Sequence, residues 1–320
     1  MDVPMFGESD VQRLLPMRDA VALMRQVFED LGTGQAQNLP RRRLRVPSGA
    51  MLHMLAGSFG PYFGTKVYSS HPRHGAHFLV VLYAAEDARP LAMFEANALG
   101  QIRTGAASGF ATDLLAKPDA RELAVIGTGF QARSQVEAML VVRPFRRVRV
   151  WSRDPERRVR FARECSEAYG VAVEAVDSAE DAVRGADVIV TATAARDPVL
   201  EAAWVAPGAH VNAIGSNNPS RRELPSELVL AAGLIAVDSI EQARMESGDL
   251  ILALDEHGWT SPRLVELADL AAGKRIWNRT DAPTIFKSNG LGVEDVAAAG
   301  FVYERAVNAQ AQPALRTSVP

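Results

Sequence analysis

The residues with the clearest chemical purpose are Gly127-Thr128-Gly129-Phe130-Gln131-Ala132, which follow the apolar run Leu123–Ile126 and precede a helical stretch. In a Gly-x-Gly-x-x-Ala turn the first glycine permits the tight turn and the second lets a pyrophosphate approach the backbone. The alanine allows helix to pack closely on strand. The helix N-terminus then offers N–H groups to the anion. It is the strand–turn–helix context, more than the glycines, that points to a dinucleotide. About twenty residues on, where such sites read the ribose, the next strand ends in Trp151-Ser152-Arg153-Asp154. An acidic residue at the strand tip would accept from the ribose 2′-hydroxyl of NAD. Ser152 and Arg153 instead offer a hydroxyl and a guanidinium suited to a 2′-phosphate. Asp154 before Pro155 reads as a helix N-cap. NADP(H) is therefore favoured, with NAD(H) the second candidate. Thr191, Ala192 and Thr193 at the end of a later strand, and Ser288 near the C-terminus, complete the candidate cofactor set.

Other reactive side chains are read against simpler explanations. Lys66 stands in an apolar strand after Gly64, an unusual place for an idle lysine, and Arg103 precedes the small residues Gly105-Ala106-Ala107-Ser108, where a ligand could come close. Arg43 belongs to a run with Arg41, Arg42 and Arg45, which by itself reads as a solvated face. His71, His74 and His77 enclose Pro72 and Gly75, a loop entering a strand whose spacing fits no common zinc pattern, and no metal is expected. Cys165 reads as a structural thiol. Arg143, Arg146, Arg147 and Arg149 read as solvated surface, and Asp238 as either facing the cofactor or capping the next helix.

These residues need a scaffold. Up to about residue 115 the chain reads as mixed α+β, with a helix near Asp19–Leu31 and strands at Met51–Ala56, Phe63–Tyr68, Phe78–Ala84 and Leu91–Glu95. A second helix is predicted from Gln101 to before Pro118. From Glu122, apolar runs at Leu123–Ile126, Val148–Trp151, Val171–Val176, Val188–Thr193, His210–Ile214 and Leu234–Asp238 alternate with helical stretches at Gln131–Val142, Pro155–Tyr169, Ser178–Gly185 and Glu223–Leu230. That alternation predicts βαβ units and a parallel sheet. The fold class is α/β: a Rossmann-type doubly wound domain, residues 118–294, inserted into an α+β domain of residues 1–117 completed by 295–320. The final ten residues read as a tail.

The chain has 320 residues, 48% hydrophobic and 23% charged, with Lys+Arg 35 against Asp+Glu 38 and a net charge of −3. No global basic field favours nucleic acid. The single cysteine excludes an intramolecular disulfide framework. The N-terminus lacks a basic segment followed by an apolar one, and the longest apolar run, Phe78 to Ala85, is far short of the roughly 18 residues a membrane helix requires. A cytoplasmic protein is expected.

Several ordered motifs together resemble the ornithine cyclodeaminase/mu-crystallin family: Arg43-Leu44-Arg45-Val46-Pro47, Gly64-Thr65-Lys66, Arg103–Ser108, Gly127–Ala132, Val211–Gly215, Arg222-Glu223-Leu224, Val237-Asp238-Ser239 and Phe286–Gly290. The resemblance extends over essentially the whole length. It implies a substrate and dimerisation domain around the Rossmann domain, a homodimer, and carboxylate binding by Arg43, Lys66 and Arg103. Two guanidinium forks would orient the carboxylate and a compact ammonium would lie near the reacting carbon.

The loop Gly215-Ser216-Asn217-Asn218-Pro219 departs from the cyclodeaminases, which resemblance implies carry an acid/base aspartate two residues before the proline. Counting back from Glu223-Leu224, Asn217 stands there, with Asn218 the adjacent possibility, and neither can titrate near neutrality. Ornithine cyclisation must manage protons on two amines, whereas a preformed cyclic ketimine can already carry its proton. Mu-crystallin-like ketimine reductases also lack the aspartate. The expectation is an NAD(P)H-dependent oxidoreductase on the C–N bond of a small imino or amino acid, reducing a cyclic ketimine carboxylate, with Asn217 and Lys66 as catalytic candidates. A cyclodeaminase-type lyase with recycled NAD, an alanine dehydrogenase-like enzyme and a non-catalytic NADPH-binding protein stay open as alternatives.

Overall fold

The computed structural model describes residues 3–311. Strands β1 (Met5–Phe6), β2 (Gln37–Arg45), β3 (Met51–Phe59), β4 (Tyr62–His71), β5 (Gly75–Ala84) and β6 (Pro90–Glu95) form one sheet in the order β1-β6-β5-β4-β3-β2. It is antiparallel except where β1 joins β6. Helices α1 (Glu8–Leu14), α2 (Met17–Thr33) and α3 (Asn97–Leu115) accompany it. Alternation sorts the sheet's two faces. Leu55, Lys66 and Val80 point inward and are buried, while Met54 and Leu79 point outward and are each 39% exposed.

The second sheet is wholly parallel. Its strands are β7 (Glu122–Ile126), β8 (Arg147–Trp151), β9 (Val173–Ala175), β10 (Val188–Thr191), β11 (His210–Ala213), β12 (Leu234–Val237), β13 (Leu264–Glu266) and β14 (Thr284–Lys287), in the order β13-β12-β14-β11-β10-β7-β8-β9. Its helices are α4 (Phe130–Val142), α5 (Pro155–Tyr169), α6 (Ala179–Val183), α7 (Ser226–Ala231), α8 (Ile240–Glu246), α9 (Gly248–Ile251), α10 (Glu256–Trp259) and α11 (Leu267–Ala271). Both faces of the sheet are covered, which is why β10, β11, β12 and β14 are buried throughout. Strand order reverses between β7 and β10, and ligands of doubly wound sheets bind in the crevice at such a switch point. The last helix, α12 (Gly292–Ala311), returns to pack against β3 and β4.

Several expectations are corrected. The arginine run lies in strand β2, where Arg42, Arg43 and Arg45 are exposed as expected and Arg41 turns inward, only 6% exposed. The helix expected from Gln101 begins at Asn97. The helix expected from Glu223 begins at Ser226, because Pro225 supplies its N-cap and Glu223 turns inward to hold Thr193. Arg149 is buried and donates to the carbonyls of Asp181 and Arg184, so it is not a solvated residue. Other readings hold: α5 spans Pro155–Tyr169, the Asp154 side chain accepts from the Arg157 N–H, and Gly170 ends the helix left-handed. Cys165 is fully buried in α5. His71 and His74 pack against each other at the β4–β5 turn, their ring planes tilted by 30°. The expected tail lies almost wholly outside the described residues.

Candidate active site

At the switch point the backbone is shaped for an anion. Gly127 has φ +110°, and a Cβ there would lie 2.5 Å from the Ala192 carbonyl oxygen, so only glycine fits. Gly129 caps α4, and the space above it is open: a Cβ would meet nothing nearer than 4.0 Å. Thr128 donates to Ser152 Oγ at 3.0 Å, tying the turn to the end of β8. Phe130 is 58% exposed at the opening, and the Oε1 atom of neighbouring Gln131 has no hydrogen-bond partner among the described residues. Ala132 is fully buried against the sheet. Asp154 is engaged in capping α5, leaving Ser152 and exposed Arg153 as the groups presented at the β8 tip. Arg158, missed in the sequence, lies beneath them, donating to the Ser152 carbonyl at 3.2 Å and pairing with Asp177. These residues fit a dinucleotide: Gly127–Ala132 could receive a pyrophosphate, and Ser152 and Arg153 would stand where an adenosine ribose comes to the β8 tip.

Buried Glu223 secures the neighbouring crests. It accepts from Thr191 Oγ1 at 2.9 Å, from the Thr193 N–H and hydroxyl at 2.6 and 2.7 Å, and from the Gly215 N–H at 2.8 Å. Lys287, also fully buried, donates to the Ser216 carbonyl at 2.6 Å and faces Asp249 at 3.3 Å, which holds the loop that carries Asn217. Asp238 accepts from the N–H groups of Asn289 and Gly290, both at 2.6 Å, and from Ser288 Oγ at 3.3 Å. It folds the β14–α12 turn, and the helix cap falls to Ser239.

Between this crevice and the inner face of the first sheet lies a cavity of about 460 Å³, lined by Arg41, Lys66, Arg103, Gln131, Asn217 and Ser288 among others. Lys66 Nζ is 2.8 Å from Asp295 Oδ1, and Arg103 reaches the same oxygen at 3.1 Å and Glu294 at 2.6 Å. Arg41 pairs with Glu246 and donates to the carbonyls of Asn289 and Gly290. Burial, reinforced by the Arg103 charge, lowers the Lys66 pKa against the pull of Asp295. Burial raises Glu294 to about 7 despite Arg103. Burial alone would raise Asp295, but Arg103 and Lys66 bring it below the usual carboxylate range.

Of the three expected anchors, Lys66 and Arg103 line the cavity. Arg43 sits behind its wall, shared with Arg41 on Glu246 and donating to the Asn217 carbonyl at 3.1 Å. Arg41 occupies the lining position. The two share a strand face, Arg43 opposite His53 and Arg41 at a register irregularity between Leu39 and Arg42, and a run of four arginines gives no sign of which lines the cavity. Asn289, His53 and Tyr68 also line the cavity and were not foreseen.

A dinucleotide turn at a sheet's switch point, opening on a cationic cavity of small-molecule size, defines a nicotinamide-dependent enzyme of small carboxylates. The sequence profile of the ornithine cyclodeaminase/mu-crystallin family matches residues 2–310. A Delta(1)-pyrroline-2-carboxylate reductase of Bacillus cereus is 39% identical over 231 residues, 72% of this chain and 71% of that protein. The structure of Thermococcus litoralis Delta(1)-pyrroline-2-carboxylate reductase in complex with NADH and L-proline superposes with a TM-score of 0.90 at 30% identity, covering 96% of this chain and 98% of the other. An archaeal alanine dehydrogenase dimer with bound NAD gives 0.89 at 30% identity, covering 98% of each chain. The chain belongs to the ornithine cyclodeaminase/mu-crystallin family.

Proposed function

We propose that the protein reduces a cyclic ketimine carboxylate to the L-amino acid, with NADPH as the preferred reductant. The observation that carries this reading is the cavity itself: Lys66, Arg103 and Arg41 gather at an anion-binding end, and the loop facing them presents an amide, Asn217, in place of a titratable acid. Arg103 and Arg41 orient the substrate carboxylate, and Arg43 steadies Asn217 from behind. Lys66 holds its proton less tightly than an ordinary lysine and stands ready to pass it to the substrate nitrogen. The Asn217 amide orients the imine or a water beside it. A nicotinamide dinucleotide held at the Gly127–Ala132 turn would supply the hydride, and the residues above position the carbon to receive it.

Residues 118–294 serve as the dinucleotide domain, and 1–117 with 295–320 as the substrate and dimerisation domain. Ser152 and Arg153 select the 2′-phosphate. The outward face of the first sheet, where Met54, Val67 and Leu79 form a cross-strand row, is the homodimer interface. No helix among the described residues is long and apolar enough to cross a membrane, and the proposal places the enzyme in the cytoplasm.

The test is oxidation of NADPH and NADH with pyrroline-2-carboxylate, piperideine-2-carboxylate, and pyruvate plus ammonia. Turnover of a cyclic imine, faster with NADPH, is expected. Reaction with pyruvate and ammonia alone would transfer the assignment to an amino-acid dehydrogenase with Lys66 as proton carrier. Proline formed from ornithine, and increased by Asn217→Asp, would transfer it to the lyase.

A further inference from the structure

The inner face of the first sheet carries an unusual polar wall at one side of the cavity. His53, Tyr68 and Phe78 lie directly opposite one another on β3, β4 and β5. Their rings stack in a row, with centroids 4.1 Å apart at 5° and 4.7 Å apart at 30°. The row ends beside the anion-binding group, Lys66 Nζ lying 5.4 Å from the Phe78 ring. All three rings line the cavity, as does Ser70, two residues beyond Tyr68 on the same strand face. Tyr68 lines the cavity, and its hydroxyl forms no hydrogen bond to another of the described residues.

The protons in this wall can be placed. Arg43 Nε donates to His53 Nδ1 at 3.3 Å, so that nitrogen is bare. Burial and the charges of Arg43 and Arg41 hold the imidazole neutral, its pKa lowered to about 4. The other ring nitrogen therefore carries the hydrogen and donates to Ser70 Oγ at 2.8 Å. The Ser70 proton is left free to donate to something else. The wall thus presents two hydroxyls, from Tyr68 and Ser70, and no added charge. The charges at the anion-binding end match a single carboxylate. Arg41 and Arg43 share Glu246, while Lys66 and Arg103 face Asp295 and Glu294, leaving one surplus positive charge among these contacts when Glu294 is ionised. A second carboxylate on the substrate would have no cation to meet it.

We infer that the substrate is a monocarboxylate bearing a hydroxyl remote from its carboxylate, and that Tyr68 and Ser70 recognise that hydroxyl. This rests on the imino-acid reading above. A hydroxyl both donates and accepts, as the two side chains do. A plain hydrocarbon ring would displace water and leave the Tyr68 and Ser70 groups unpaired, a loss of specificity-determining size.

The test is titration calorimetry on the NADP⁺-loaded protein with L-proline and with its 3- and 4-hydroxylated derivatives. At least one hydroxylated ligand should bind about threefold to tenfold more tightly than L-proline, the range of one neutral hydrogen bond. Tyr68→Phe, which keeps the ring in the stack, and Ser70→Ala should each reduce that ratio, and the double variant should erase it. Equal or tighter binding of L-proline, a preference that survives both substitutions, or no binding of any of these ligands overturns the inference. NADPH oxidation with unsubstituted pyrroline-2-carboxylate, run on the same protein, reports on the reductase reading separately, because a reductase without hydroxyl preference would turn over there yet show no ratio in the calorimeter.

Discussion

Exchange of Ser152 and Arg153 should invert cofactor preference. Both stand at the tip of β8, where the ribose of the bound dinucleotide would lie, and the one acidic neighbour, Asp154, is committed to the first turn of α5. A hydrogen bond to a charged group contributes about 1.5–3 kcal/mol, and the exposure of Arg153 places it at the lower end. Arg153→Ala should therefore cost roughly tenfold in kcat/KM for NADPH and leave NADH nearly unchanged. Ser152→Asp adds repulsion of about 1 kcal/mol per charge at 4 Å in water, or about 2 kcal/mol against a doubly charged phosphate, while giving a 2′-hydroxyl an acceptor. Together the two substitutions should move the NADPH/NADH ratio by a few hundredfold. Initial rates with one imine substrate at saturating concentration, measured at low and high salt, read the ratio directly. The preference should weaken with salt, because the contacts are exposed. A wild-type enzyme that favours NADH, or a ratio unmoved by Arg153→Ala, would refute the assignment of the β8 tip. A loss confined to the Arg158 variant would move the phosphate contact one turn along α5.

Three further outcomes are expected. Lys66→Met should lower kcat/KM for the imine by about tenfold to a hundredfold, the size of a lost charged hydrogen bond. Cofactor affinity should stay unchanged in that variant, and an equal loss in dinucleotide binding by fluorescence titration would contradict the role given to Lys66. Glu294 is protonated more readily folded, with its pKa at about 7, than unfolded, so its contribution to stability declines as pH rises from about 4.5 to 7. Urea titrations should accordingly show Glu294→Gln gaining on the wild type across that window by up to about 3 kcal/mol and levelling off above it; a pH-independent difference would count against the shift. Met54→Lys combined with Leu79→Lys places charges on the outward sheet face and should yield monomers by sedimentation, whereas an intact dimer would locate the interface elsewhere.

What the chain alone determined was local. A strand, two glycines and an alanine specify the anion-binding turn within ten residues, because only glycine adopts the backbone at position 127 and only a small residue fits at 132. Asp154, Pro155 and Gly170 bound α5 by capping chemistry that depends on neighbours a few residues away. Lys66 could be singled out because a charge in an apolar strand is costly without a purpose. The tertiary structure decided what depends on distant residues. Packing around Glu246 put Arg41 into the cavity wall and left Arg43 outside it, a distinction that composition cannot express. Glu223 left its expected helix because four donors from β10, the loop after it and the loop after β11 converge on it. The proton affinity of Lys66 awaited its burial in the fold, and then the opposing pull of Asp295, 229 positions along the chain. The row of His53, Tyr68 and Phe78 exists only through the register of three strands, and with it the polar wall that bears on substrate choice.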